Sequence, residues 1–144
     1  MKIVVDTNIL ISSMMWPGFS HRIAELAESK KLEIGISNAI YAEFCRVLDY
    51  PRIEKRVREK NLTASSIKSR VCDFVTIVER VSPVPSILED VTDAEILACG
   101  VDFKAAAIVS GDKRIVNVVT FENIPIMRPA EFVQKYFPTT QQPQ

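Results

Sequence analysis

Acidic residues recur where short apolar runs end. "KIVVD" closes on Asp6, "AAAIVSG" leads straight into Asp112, and Asp93 opens the periodic stretch "TDAEILACGVD". Glu43 lies one to two turns into the helical pattern that follows "LEIGIS". If the apolar runs are parallel strands, these four acids face one edge of the sheet and meet there from distant parts of the chain. Like charges so close raise each other's pKa and resist full ionisation. Helix N-termini at Asp93 and Asp112 relieve this by only about 0.3–1 kcal/mol each. A divalent cation is the natural compensation, and an all-oxygen donor set favours Mg²⁺ or Mn²⁺, as one or two ions. Zinc is disfavoured, because His21 is the only histidine and no cysteine–histidine spacing supports it. Taken singly, each acid has a plainer role. Asp6 and Asp112 can cap helices, Asp93 can complement a helix dipole, and Glu43 can sit on a solvated face, although its place between Ile40 and Phe44 tilts it inward. Only the joint placement, at one end of a predicted sheet, points to chemistry.

The elements that must position these acids alternate along the chain. "KIVVD", "LEIGIS", "AAAIVSGD" and "IPIM" read as buried strands, continuous apolar runs of the kind covered on both faces. Between them lie helical patterns: a short helix from about Asn8 to "WPG", then "HRIAELAESKK", then a helix capped by Ser37 or Asn38 with the stripe Ile40, Phe44, Val47 and Leu48. "PRIEKRVREK" starts on Pro51, a favoured first position. "TASSIKSRVCDFVTIVERV" reads as one longer helix capped by Thr63, with Ile67, Val71, Phe74, Val75 and Val78 on its apolar face. An extended segment near Val81–Val84 is at best an edge strand because of Pro83 and Pro85. Thr92 and Glu95 form the spacing of a capping box. "KRIVNVV" and "PAEFVQKYF" are the last helices. The alternation predicts a three-layer α/β/α sandwich with a central, mostly parallel sheet of four to five strands. Residues 1–137 are expected to form one domain, and the polar end 138–144 to be disordered.

Composition narrows the class. A chain of 144 residues with 47% apolar and 25% charged residues is ordinary for a globular protein. At this size one core buries roughly 70% of the unfolded surface, so neither metal nor disulfide is needed merely to hold the fold. The three cysteines, Cys45, Cys72 and Cys99, show no C-x-x-C pair and read as buried thiols in a reducing compartment. No apolar run approaches the roughly 18 residues that would span a membrane, and no signal peptide is recognisable, so a cytoplasmic protein is expected. The 18 basic and 18 acidic residues cancel, so any polyanion contact needs a local basic patch.

"VVDTNILIS", the Glu43 helix, "EDVTDAEIL" and "AIVSGDKRI" resemble, in order and spacing, the motifs of PIN-domain nucleases over nearly the whole chain. The likeness extends to small stand-alone prokaryotic PIN proteins, including toxins of toxin–antitoxin pairs. The resemblance implies a metal-dependent endoribonuclease acting on single-stranded RNA, with an antitoxin as a possible partner. It puts Asp6, Glu43, Asp93 and Asp112 at the four acidic catalytic and metal-holding positions, with Asn8 and Ser110 as supporting polar residues and Asp90 as a frequent extra acid. Ser110 stands where threonine is common, and Phe103 and Lys104 lengthen the link into the following strand.

Phosphodiester hydrolysis needs an activated water and relief of charge on the leaving oxygen, which one or two ions provide. Asp6 and Asp112 are then the expected direct ligands, with Asp93 bound directly or through water. Glu43 either holds a second ion or orients the water. Lys113 and Arg114, beside Asp112, and Arg46, one turn after Glu43, are the candidate substrate-phosphate contacts. Arg46 also begins a stretch to Lys60 with six basic residues against three acids, which reads equally well as a solvated helix with internal ion pairs. Trp16 and Phe19 are read as core or dimer interface, and a homodimer is expected. A non-catalytic RNA- or protein-binding module of the same fold is the main alternative. A phosphotransfer domain is weaker, because Asn8 stands where a phosphatase needs a second aspartate.

Overall fold

A computed structural model describes residues 1–139. The expected tail beginning at 138 therefore lies, from residue 140 onward, outside the described residues. In chain order the elements are β1 (Lys2–Val5), α1 (Thr7–Met15), α2 (Phe19–Glu28), β2 (Glu33–Ile36), α3 (Asn38–Leu48), α4 (Pro51–Glu59), α5 (Ala64–Phe74), β3 (Val75–Ile77), α6 (Val91–Phe103), β4 (Ala107–Val109), α7 (Lys113–Val116), β5 (Thr120–Phe121), β6 (Ile124–Met127) and α8 (Pro129–Tyr136).

The strands form one sheet in the order β3-β2-β1-β4-β6-β5. Every pairing is parallel except β5 with β6. Ile3, Val4, Val5, Ile36, Ala107, Ile108 and Val109 are wholly buried, as both-faced covering requires. From β1 the chain winds outward to β2 and β3, then returns through α6 to β4 on the other side of β1. The gap between the carboxyl ends of β1 and β4 is therefore the topological switch point, where open α/β sheets leave a crevice. Asp6 follows β1, and Ser110 to Asp112 follow β4.

Right-handed crossovers send α6 to the face opposite α1 and α2, and it also packs on α3. It lies against β1, β2 and β4, while α1 packs on α2 and α3, and α2 packs on α5 and α8. The approach of α6 is close: a Cβ on Gly35 of β2 would stand 2.5 Å from the Phe103 ring, and one on Gly100 would stand 2.7 Å from Ile108 Cδ1. Phe103, which lengthens the link toward β4, thus fills the space over Gly35. Lys104 ends α6 in the left-handed conformation at φ 56°.

Three local expectations are corrected. The apolar stripe Ile67, Val71, Phe74, Val78 is buried, but the helix stops at Phe74 and Val75–Ile77 become the edge strand β3. Consecutive β-branched residues there gain ladder hydrogen bonds beside Ile34–Ile36 that a further helical turn could not offer. The extended segment at 81–84 is accordingly not a strand; the edge strand is Val75–Ile77 instead. The cap of α6 is Asp90, whose carboxylate accepts from the N–H groups of Thr92 and Asp93 at 2.8 and 3.1 Å. Glu95 does not reach back in a capping box, because it pairs with Arg80. The sequence reading also missed β5, which folds back through Glu122 and Asn123, both at positive φ as in a tight hairpin turn.

Candidate active site

Asp6 is buried at the end of β1 and caps α1: its Oδ1 accepts from the Ile9 N–H at 2.9 Å, and its Oδ2 accepts from the Ser110 hydroxyl. Burial pushes its carboxyl pKa up, against the pull of those hydrogen bonds and with help from the nearby charge of Asp112. Ser110, wholly buried, uses its oxygen a second time to accept from the Asp112 N–H at 2.9 Å. One hydroxyl thus ties the end of β1 to the turn after β4.

Asp112 caps α7. It accepts from the Arg114 N–H at 2.8 Å and from the Arg114 guanidinium at 2.9 and 3.3 Å. That guanidinium, above all, holds the Asp112 carboxyl below the usual carboxylate range. The turn before it is fixed by Arg128, at the end of β6, which donates to the Gly111 carbonyl at 2.9 Å.

Asp93, in the first turn of α6, is only 8% exposed. Its Oδ2 accepts no hydrogen bond from the described residues. The Arg114 Nη2 stands 3.4 Å away, an ion pair without a hydrogen bond. Burial, then the charge of Asp90, raise the Asp93 pKa to about 6, and Arg114 offsets only part of this. Glu43 is half-buried on α3 and pairs with Arg46 one turn on.

These groups share one cavity of about 200 Å³. Asp6, Asn8, Glu43, Asp90, Asp93, Asp112 and Arg114 all line it, with Thr7 and Thr92 between them and Val47 and Ile115 as apolar floor. All four acids named from the sequence are therefore brought together. Ser110 lies beneath the cavity rather than in its wall. Arg46 reaches Glu43 from outside and lines a neighbouring hollow instead, and Lys113 is exposed outside the cavity wall. Thr7 and Thr92, which the sequence did not single out as site residues, are adjacent to acids in the chain and could have been named by that adjacency. Nothing local signals Arg128, which arrives because β6 pairs with β4.

Among the described residues, no three His, Cys, Asp or Glu side chains stand close enough to hold an ion as placed. Asp93 and Asp112 face Arg114, and Glu43 faces Arg46. Their chemistry nonetheless fits a hard cation: the donors are oxygens, no thiol or imidazole intervenes, and one buried carboxylate oxygen lacks a hydrogen bond. His21 makes its hydrogen bond elsewhere, to the Ser13 carbonyl. No helix among the described residues is long and apolar enough to cross a membrane.

A family model described as "PIN domain" matches residues 2–114, a span that includes every acid of the cavity. Among solved structures, the chain is similar to VapBC2 from Rickettsia felis, crystallised with a DNA fragment from its promoter. The TM-score is 0.63 at 16% identity, covering 89% of this chain and 98% of that one. At that identity the likeness speaks for the fold. No curated protein matches the sequence.

Proposed function

The chain belongs to the PIN-domain family, and from that premise we propose that it is a metal-dependent endoribonuclease, hydrolysing phosphodiester bonds of single-stranded RNA as the toxin of a toxin–antitoxin pair. The observation that carries this reading is the meeting of Asp6, Glu43, Asp93 and Asp112 in one cavity at the switch point, with a buried Asp93 oxygen lacking a hydrogen bond. The likeness to VapBC2, a protein crystallised with promoter DNA, supports the toxin–antitoxin part.

Asp6, Asp93 and Asp112 would hold Mg²⁺ or Mn²⁺, with Glu43 toward a second ion or the attacking water. Bound there, the ion supplies an activated water and neutralises charge on the scissile phosphate. The remaining steps fall to the chain's own groups. Ser110 fixes the direction of Asp6, and the α7 cap fixes Asp112. Asp90 holds the first turn of α6, so that Asp93 faces the cavity. Burial and the charge of Asp90 raise the Asp93 pKa to about 6, and its ionised carboxylate would serve as a ligand. Asn8 offers an amide at the rim. Arg114, with Lys113 and Arg46 nearby, supplies positive charge for the substrate backbone.

Residues 1–137 are proposed as one domain acting in the cytoplasm. A homodimer is favoured by the exposed apolar side chains of Ile77 on the edge strand β3 and of Val81 and Val84 shortly after it. Sedimentation showing monomer alone at micromolar concentration refutes the dimer.

The decisive experiment incubates the chain and its Asp93→Asn variant with single-stranded RNA, in Mn²⁺ or in EDTA. Cleavage in Mn²⁺ alone, lost in the variant, is the expected result. One observation favours a second reading: the pairing of Arg114 with Asp93 and Asp112, and of Arg46 with Glu43, leaves much of the acidic charge already neutralised, as in a non-catalytic RNA- or protein-binding module. RNA bound but uncleaved in Mn²⁺ would favour that module.

A further inference from the structure

We propose that Arg114 is the resident counter-ion of the acidic cavity, which a divalent cation displaces and which then turns its guanidinium to the substrate phosphate. The inference rests on the metal-dependent reading above and deepens it. Among the described residues lining the cavity, Arg114 is the only base, against five carboxylates. Its Nη2 lies near both Asp93 and Asp112, at 3.4 and 2.9 Å. It makes no ion pair with Asp6 or Glu43. Asp6 and Asp90 are thus left without an ion-pair partner among the described residues, and Glu43 has only Arg46.

The same contacts make the guanidinium displaceable. Its side chain is 65% exposed, and exposed pairs of this kind contribute little. A small divalent ion brings twice the charge and binds oxygens directly. Arg114 also has somewhere to go. It lines both the acidic cavity and the adjoining groove of Leu88, Asp90 and Asn117, so rotation about its own side chain carries it from one to the other. Docked, it suppresses metal binding by the fraction of molecules in which it is docked. Released, it stands beside the ion, where a bound phosphodiester carries its charge.

Metal binding and RNA binding should therefore respond to Arg114 with opposite sign. Titration calorimetry with Mn²⁺ alone, on the full chain, is expected to show Arg114→Gln binding on the order of tenfold more tightly than wild type. Arg114→Lys, charged but without the fork, should fall between. Melting in EDTA and in Mn²⁺ gives a second readout: Arg114→Gln shows the larger metal-induced rise. Binding of a slowly cleaved single-stranded phosphorothioate RNA in Mn²⁺, read by anisotropy, should instead weaken in Arg114→Gln. Equal or weaker Mn²⁺ binding by Arg114→Gln overturns the counter-ion role, and undiminished RNA binding overturns the phosphate role. If neither protein binds Mn²⁺, this inference falls together with the metal-dependent reading. If both bind it equally, only this inference falls.

Discussion

Helix α6 carries two clusters of carboxylates and arginine, and they are built on opposite terms. Near its middle and C-terminal end, Glu95 and Asp102 close on Arg80, whose guanidinium is only 16% exposed. Asp102 also accepts from the Val81 and Ser82 N–H groups at 2.9 and 3.1 Å, and Arg80 donates to the Ser82 carbonyl at 2.8 Å. Donors and acceptors match. At the N-terminal end of the same helix, Asp93 joins Asp6, Glu43, Asp90 and Asp112 around one largely exposed guanidinium, and a buried oxygen has no donor. Burial raises the pKa of both Asp93 and Asp102. In Asp102 the Val81 N–H, Arg80 and Ser82 outweigh it and the net shift is downward; in Asp93 nothing does, and the value reaches about 6. A satisfied cluster fastens the chain that leads into α6. The other leaves a buried carboxylate oxygen without a donor among the described residues.

The contrast can be broken most forcefully at Arg80. Arg80→Met strands the Asp102 side chain, 3% exposed, without its cation. Unfolding in urea should show a loss of about 3–5 kcal/mol, with Mn²⁺ affinity unchanged once the chain is folded. At the other cluster the effect should fall on activity rather than stability. Asp6→Asn is expected to lower RNA cleavage in Mn²⁺ by roughly 10²–10³-fold, while the native circular dichroism spectrum persists. An Asp6→Asn protein that cleaves as wild type would sink the assignment.

A smaller effect sharpens the comparison by its sign with pH. Asp93 has a folded pKa of about 6, above its ordinary 3.8, so the folded state holds the proton more tightly than the unfolded chain. Its contribution to stability is full below the unfolded value and is lost as pH rises through about 6. Asp93→Asn, which mimics the protonated form, should therefore raise the melting temperature in EDTA above pH 6, by about 2–4 °C for each 1 kcal/mol of strain relieved. The gain should vanish as pH falls below the unfolded value. Asp102 runs the other way. Its pKa is lowered, so its contribution is present above the unfolded value and lost as pH falls through the folded one. The smallest change is Ser110→Ala. It removes the hydroxyl shared by Asp6 and Asp112 and should cost about 1–3 kcal/mol of stability, measured in urea, while Ser110→Thr retains it.

Much of the site was legible before any coordinates, because its acids are local signals. Asp6 and Asp112 stand where strands give way to helices, and Ser37, Thr63 and the Ile40–Leu48 stripe behave as their spacing predicts. What escaped was governed by partners far away in the chain. Thr92 and Glu95 have the spacing of a capping box, yet Asp90 takes the cap and Arg80 takes Glu95. Val75 continues a helical stripe, yet β2 offers it a ladder.

The amino-acid sequence by itself determined the alternation of elements, the family and the identity of the four acids. Periodicity, caps and strand-end residues act within a few positions of one another. Only the tertiary structure decided which cation each acid faces. It divided one helix between a neutralised cluster and an open one, because ion pairing depends on distances of a few ångströms between side chains that the chain order leaves unspecified.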